Sequence, residues 1–352
     1  MTAKTQEKVL TQGNVAAAEG AIQAGLKCYF GYPITPQNQI PEYMSWRLPE
    51  VGGTFLQAES ELASINMVLG AAATGVRAMT SSSGPGISLM QEGISFLAGM
   101  QLPAVIVDVM RCGPGLGGIK PTQGDYYQAT RGGGHGDYRT LVLAPGNTQE
   151  MFDLTFHAFD LADKYRNPVI VFADAILGQT KEPVRLEPLH PPTQVDKPWA
   201  MTGANDRPSR NIRSMYLEGD DQEQLNYTLR DKYERATRDE QRHEVRWAED
   251  ADVVVVAFGT PARIALDAIR EARAEGRRVG LFRPISLYPF PVDALGALSD
   301  RCKKMLVVEM NLGQMVDDVR AAVRHDVTVA FHGRPGGGVP TPDEILAKLK
   351  EL

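Results

Sequence analysis

Residues 58–74 alternate apolar and small side chains with no proline, a pattern that predicts a buried helix. Ser60 stands where a cap would be, and Glu61 falls in the first turn, beside the positive end of the helix dipole. Residues 76–80 follow Gly75 as a short apolar strand, 81–86 (SSSGPG) as a tight turn, and 87–98 as a second helix. Gly70, Ala71, Ala72, Ala73 and Gly75 carry so little bulk that another backbone or a flat ligand can come close. Any α/β domain contains such a unit, so this pattern alone leaves function open.

Upstream, residues 13–25 form an Ala-rich run that predicts a helix capped by Asn14 and ended by Gly25, and 28–31 read as a strand. Downstream, 102–110 (LPAVIVDVM) is nearly all apolar, as expected of a parallel strand buried on both faces. Strand 140–143, amphipathic helix 148–164 and strand 169–174 follow. The alternation predicts one α/β domain with a mainly parallel sheet over residues 1–185. Residues 186–247 read as a linker: 186–210 are Pro-rich and polar, and 220–247 are highly charged. Leu225, Leu229 and Tyr233 lie four apart there, which predicts a surface or partner-facing helix. A second α/β domain over 248–352 is expected from strands 252–258, 279–282 and 306–309 and helix 262–275. In it 283–291 form a stiff loop and a Gly/Pro-rich tail, 333–341, lies across a surface.

The 352 residues are 43% hydrophobic and 23% charged, which fits a soluble globular protein of about two domains. No apolar run is long enough to span a membrane, and the first residues lack the apolar core of a signal peptide. A net charge of −6 argues against a nucleic-acid footprint. Cys28, Cys112 and Cys302 are far apart and form no CxxC pair, so no iron–sulfur or zinc signature is present, and a reducing, cytoplasmic setting is expected.

Three positions invite chemistry. Tyr32-Pro33-Ile34-Thr35-Pro36 follows a strand, and two prolines predict an extended, stiff backbone offering the Thr35 hydroxyl at a sheet's carboxyl edge; alternatively they only shape a turn. Arg111 directly follows a core strand and precedes a Gly-rich loop. It either holds a carboxylate or phosphate by a forked hydrogen bond or pairs with a structural acid such as Asp108. The loop matches neither GxxxxGK[ST] nor a strand-linked GxGxxG, so no nucleotide motif is supported. His135 reads as a loop hydrogen-bonder, with no second metal ligand at helical spacing.

GYPITP at 31–36, ESELASINMVLGAAATG at 59–75, TSSSGPG at 80–86 and RCGPG at 111–115 together resemble the α-type subunit of thiamine-diphosphate-dependent 2-oxoacid:ferredoxin oxidoreductases. VVVVAFGT and GLFRPISLYPFP resemble the transketolase C-terminal domain. The stretches GYPITPQNQIPEYMS, KPTQGDYYQATRGGGHGDYR and DLADKYRNPV are most similar to the branched-chain (2-oxoisovalerate) subgroup. The resemblance implies a pyrimidine-binding, parallel-sheet thiamine-diphosphate domain followed by a transketolase-C-like α/β domain. It implies CoA-dependent oxidative decarboxylation of a 2-oxoacid to acyl-CoA and CO2, with electrons passed to ferredoxin. Thiamine diphosphate acts as the electron sink, and a carboxyl group at its aminopyrimidine N1′ is required. The resemblance puts that group at Glu61, with Glu59 as second choice. It puts the substrate's hydroxyl partner at Thr35 and its carboxylate partner at Arg111, and cofactor contacts at Pro33, Ser83 and Gly84.

The GDG…N diphosphate–Mg²⁺ motif and cluster cysteines are not found in this sequence. Mg²⁺ and the iron–sulfur cluster are therefore expected on partners: a β-type subunit, in two αβ pairs, and γ/δ-type ferredoxin-like subunits. Two other readings remain open, a non-catalytic binding or regulatory protein and another thiamine enzyme component. The same chemistry on 2-oxoglutarate, pyruvate or an aryl 2-oxoacid also stays open.

Overall fold

The apolar runs Ala104–Met110 and Pro168–Asp174 lie side by side at the heart of a seven-stranded sheet in the computed structural model, which describes residues 7–204 and 206–352. Every residue of both is buried, which is why neither run alternates with polar positions. From edge to edge the sheet runs Ser286–Tyr288, Leu141–Leu143, Pro168–Asp174, Ala104–Met110, Ala78–Ser82, Cys28–Gly31, Thr54–Gln57. All neighbours are parallel except the outermost Ser286–Tyr288.

The chain steps outward from Cys28–Gly31 to Thr54–Gln57, then returns to the other side as Ala78–Ser82. Strand order thus reverses between Cys28–Gly31 and Ala78–Ser82, and open α/β sheets bind ligands at the carboxyl ends of such a reversal. The helix Glu61–Ala73 follows the outer strand; the Ser60 hydroxyl accepts from Ala63 N at 3.2 Å and fixes its start. It packs with Pro85–Gly99 over one face, where Ile65, Val68, Met90 and Ile94 join a core that continues into the second half through Val254, Phe258 and Phe282. Gly13–Gln23 and Thr148–Tyr165 cover the other face.

The second sheet is ordered Thr328–Gly333, Lys304–Glu309, Val253–Val256, Val279–Pro284, His243–Arg246, parallel but for the last strand. The two sheets are stitched together by Gln123, which is fully buried. Its Nε2 donates to Phe258 O at 2.9 Å and its Oε1 accepts from Met310 N at 3.0 Å. Its backbone N donates to Met310 O, and its carbonyl accepts from Asn311 Nδ2. Asp174 makes a second clamp, accepting from the Thr260 amide and hydroxyl.

Several expectations change. Asn14 is not a cap: Gln12 holds that place, and Asn14 sits buried inside the helix, its Nδ2 donating to Pro36 O and Gln39 Oε1. Ala78–Ser82 starts two residues later than expected. Residues 283–291 are not simply a loop, because Arg283 and Pro284 end one strand and Ser286–Tyr288 form another in the first sheet. The charged helix spans Gly219–Asp239, and His243–Arg246 is an edge strand. In that helix, which is otherwise largely exposed as a surface helix, Leu229 and Tyr233 are buried against this chain, with Tyr233 Oη donating to Asn167 Oδ1. The helix Gln39–Glu50, the edge strand Thr54–Gln57 and the final helix Pro342–Glu351 are additional. Among the described residues, no helix is long and apolar enough to cross a membrane.

Candidate active site

The strand Cys28–Gly31 delivers the loop 32–36 to the point of reversal. Thr35-Pro36 is the centre of a turn closed by Gln37 N to Ile34 O at 3.1 Å, with a cis peptide. The expected extended backbone is thus a turn, made by the second proline. Gln37 is buried beneath it and locks it to the neighbouring strand: its Oε1 accepts from Ser81 Oγ at 2.6 Å, and Ser81 bonds Tyr29 Oη at 2.7 Å. The Thr35 hydroxyl, half-buried, accepts from Asn38 Nδ2 at 3.3 Å.

Arg111 is 8% exposed. Nη1 donates to Thr35 O at 3.2 Å and Nη2 to Leu116 O at 3.1 Å, while Nε has no partner. Two of its five N–H groups are thus spent on orientation; Nε is buried without a partner, and the remaining Nη hydrogens stay available for a ligand. The pairing with Asp108 is not made: the Arg111 hydrogen bonds go to Thr35 O and Leu116 O, and no ion pair joins it to Asp108.

Gly84 turns between these parts with φ +36°, and a Cβ there would stand 3.6 Å from Arg111 Cγ and 3.9 Å from Asp125 Oδ2. Gly86 is hemmed in from the other side, where a Cβ would strike Ser82 Oγ and Glu61 Oε1. Glu61 is therefore brought against the 83–86 turn. It is 5% exposed and among the described residues makes no hydrogen bond or ion pair, whereas Glu59, two residues earlier, is exposed. The hydroxyls of Thr80, Ser82 and Ser83 are buried without partners. Buried polar atoms without partners cost free energy, so such a cluster at a sheet's carboxyl edge is suited to a polar ligand.

Beside this turn opens a cavity of about 480 Å³ between the two halves. Gly84, Arg111 and Asp125 line one side, and Asn311, Leu312 and Pro335 the other. Among the described residues Arg111 is the one cationic side chain lining it. Asp108 lies behind, wholly buried; burial first and the charge of Asp125 second hold its carboxyl well above the ordinary range, and the Gly84 amide acts the other way. Burial pushes Asp125 up to about 6.

The fold thus brings Thr35, Arg111, Gly84, Ser83 and Glu61 to one edge. Pro33 is exposed on the same loop with no bond to them, and His135 is exposed with a ring that makes no hydrogen bond, against expectation. Asp125 was not singled out from sequence. The one available signal was Asp108, a lone acid in an otherwise apolar strand. Among the described residues no group of three or more His, Cys, Asp or Glu could hold a metal.

Residues 19–246 match the family described as Pyruvate flavodoxin/ferredoxin oxidoreductase, thiamine diphosphate-binding, and 251–345 match Pyruvate:ferredoxin oxidoreductase core domain II. The chain is 51% identical over 344 residues to the ketoisovalerate oxidoreductase subunit VorB of Methanothermobacter thermautotrophicus, covering 97% of each. It is similar in structure to the 2-oxoglutarate:ferredoxin oxidoreductase of Magnetococcus marinus with 2-oxoglutarate, coenzyme A and succinyl-CoA bound. There the TM-score is 0.87 and the identity 29%, with 98% of this chain and 65% of that one covered. A split-gene transketolase shares the fold at a TM-score of 0.59 and 14% identity, over 96% of each chain.

Proposed function

The chain belongs to the pyruvate flavodoxin/ferredoxin oxidoreductase, thiamine-diphosphate-binding family, and we propose that it is the α-type subunit of an enzyme that oxidatively decarboxylates 2-oxoisovalerate. The products are the acyl-CoA and CO2, and two electrons go one at a time to ferredoxin. Thiamine diphosphate supplies the electron sink when bound. The partner-free Glu61 carboxylate fits the aminopyrimidine N1′, and the free hydroxyl of Ser83, with Gly84 and Pro33 at the same edge, fits the ring's polar rim. Arg111 holds the substrate carboxylate with its remaining N–H groups, and Thr35 adds a neutral hydrogen bond.

The observation that carries the substrate choice is the single cation on the cavity wall. One guanidinium matches one carboxylate, and Leu312 and Pro335 offer an aliphatic side chain apolar contact. A dicarboxylate such as 2-oxoglutarate would bring a second charge with no second cation to meet it. The 51% identity to a ketoisovalerate subunit supports the same choice. A β-type subunit brings the diphosphate and Mg²⁺ site, and γ/δ-type ferredoxin-like subunits carry the iron–sulfur clusters. The complex works in the cytoplasm, where its three free cysteines stay reduced. Co-purified complex should be brown and should reduce ferredoxin in a CoA-dependent way fastest with 2-oxoisovalerate among a panel of 2-oxoacids. Faster turnover of 2-oxoglutarate, pyruvate or an aryl 2-oxoacid would overturn the substrate choice, and a colourless, inactive complex would overturn the reaction.

A further inference from the structure

We propose that a second cavity, framed by Arg166, Arg210 and Arg213 at the amino edge of the first sheet, binds the phosphate groups of a ligand of the nucleoside diphosphate class, with Trp199 and Tyr216 beside its base. The inference is independent of the reading of Arg111.

The two cavities lie at opposite ends of the sheet. Gln101 and Arg166 precede the central strands Ala104–Met110 and Pro168–Asp174, whereas Arg111 follows the first of them. The 7 residues of Ala104–Met110, at about 3.3 Å each, put roughly 20 Å between the ends. The cavity measures about 640 Å³, room for a nucleotide. Gln101 and Arg166 bring one wall from the sheet. Trp199, Arg210, Arg213 and Tyr216 bring the other from the polar stretch that follows it.

Charge selects the ligand. Among the described residues, three guanidiniums and no carboxylate line this cavity, in a chain of net charge −6. Arg166 and Arg210 make no ion pair, and each is steadied by a carbonyl: Arg166 Nε donates to Gln101 O at 3.1 Å, and Arg210 Nη1 to Ala200 O. Both Nη groups of Arg166 and Nη2 of Arg210 are left for a ligand. Arg213 pairs with Asp221 at 3.3 Å, and both side chains of that pair are about half exposed. The acids of the neighbouring helix Thr148–Tyr165 are already taken, Asp160 by Arg77 and Asp163 by Arg77 and Lys197. Behind Arg166, Lys232 is buried, donates from Nζ to Arg166 O and forms no ion pair. Cations gathered without a counter-charge repel one another. Phosphate oxygens match several guanidinium forks at once, which one carboxylate does not.

The rings supply the rest. The Arg166 guanidinium stands 4.7 Å from the Trp199 ring centre, and that of Arg213 4.9 Å from the Tyr216 ring centre. An anion held by these cations therefore brings an attached base up to aromatic surface, on which bases stack. Gln101 and Arg166 also share left-handed backbone, at φ +53° and +47°. That conformation is uncommon outside glycine and gathers at ligand sites.

The test is titration calorimetry on the assembled complex with ADP, inorganic pyrophosphate and adenosine. ADP and pyrophosphate should bind, more weakly as salt is added, and adenosine should not. R166Q and R210Q should each weaken ADP about tenfold or more. W199A should weaken ADP more than pyrophosphate, and R111Q should leave ADP affinity unchanged. No binding of ADP or pyrophosphate at millimolar concentration overturns the site, as does adenosine binding as tightly as ADP. Wild-type affinity and stoichiometry in both R166Q and R210Q, or loss of ADP binding in R111Q, overturns its location. Equal affinity for ADP and pyrophosphate overturns the part given to the rings. If R166Q does not assemble, R210Q, on the outer stretch, decides alone.

Discussion

Arg111 reaches across 76 positions of sequence to donate from Nη1 to the carbonyl oxygen of Thr35 at 3.2 Å. One guanidinium thereby positions the 32–36 turn and, through Leu116 O, its own Gly-rich loop. It does so with its Nε and further N–H groups still free.

Arg111→Lys keeps the charge but loses the fork. Its effect on the 2-oxoacid should correspond to about 1.5–3 kcal/mol, roughly a tenfold to hundredfold loss in kcat/KM, chiefly through KM. Thr35→Val should cost less, about 0.5–1.5 kcal/mol. Both should leave thiamine diphosphate occupancy of the complex unchanged. Parallel falls in melting temperature and occupancy, with no selective rise in KM, would assign Arg111 a structural role instead.

Gln123 clamps the two sheets with a side chain whose removal strands Phe258 O and Met310 N in a buried place. Each stranded group costs about 1–3 kcal/mol. Gln123→Leu should therefore lower the melting temperature by several degrees and raise amide exchange at Thr122–Asp125. Unchanged melting and exchange would show that the clamp contributes nothing.

Lys232 is buried at 3% exposure, with Nζ donating to Arg166 O at 3.1 Å. Burial first, then the charges of Arg166 and Arg235, lower its ammonium to about 7. Between about pH 7 and the ordinary lysine range the unfolded chain binds more protons than the folded one, so stability rises with pH there. Lys232→Met should flatten that rise. Melting curves from pH 7 to 9 with wild-type slope in the variant would show that Lys232 is not its source.

Legibility in the sequence followed burial and locality. Ala104–Met110 and Pro168–Asp174 declared themselves because strands buried on both faces have no polar positions to keep. Ser60 and its helix were legible because a cap acts within one turn. Gln39–Glu50 was not, since Pro41 and Pro49 lie inside it and Trp46 is exposed on it, which blurs the helical period. Ser286–Tyr288 was hidden by the prolines that follow it, and its partner Leu141–Leu143 is far away in sequence. Thr35, Glu61 and Arg111 could be named through motifs. The cavity, the burial of Asp108 and the place of Asp125 on the cavity wall arise only when the strand ends, the helix at Tyr126 and the second half meet.

The isolated chain should bind thiamine diphosphate weakly, because its sequence shows no diphosphate–Mg²⁺ motif. Calorimetry with and without Mg²⁺ checks this, and tight Mg²⁺-dependent binding to the lone chain would contradict it.

The proposed reaction depends most on Glu61 as the group that activates the cofactor, because Arg111 and Thr35 can act on a substrate only where that activation occurs. Hydrogen–deuterium exchange at C2 of thiamine diphosphate in the assembled complex reads this step without any substrate. Glu61→Gln should abolish most of the exchange with fold and assembly intact, and Glu59→Gln should keep it. Wild-type exchange in Glu61→Gln, with loss in Glu59→Gln, would contradict the account and move the role to Glu59.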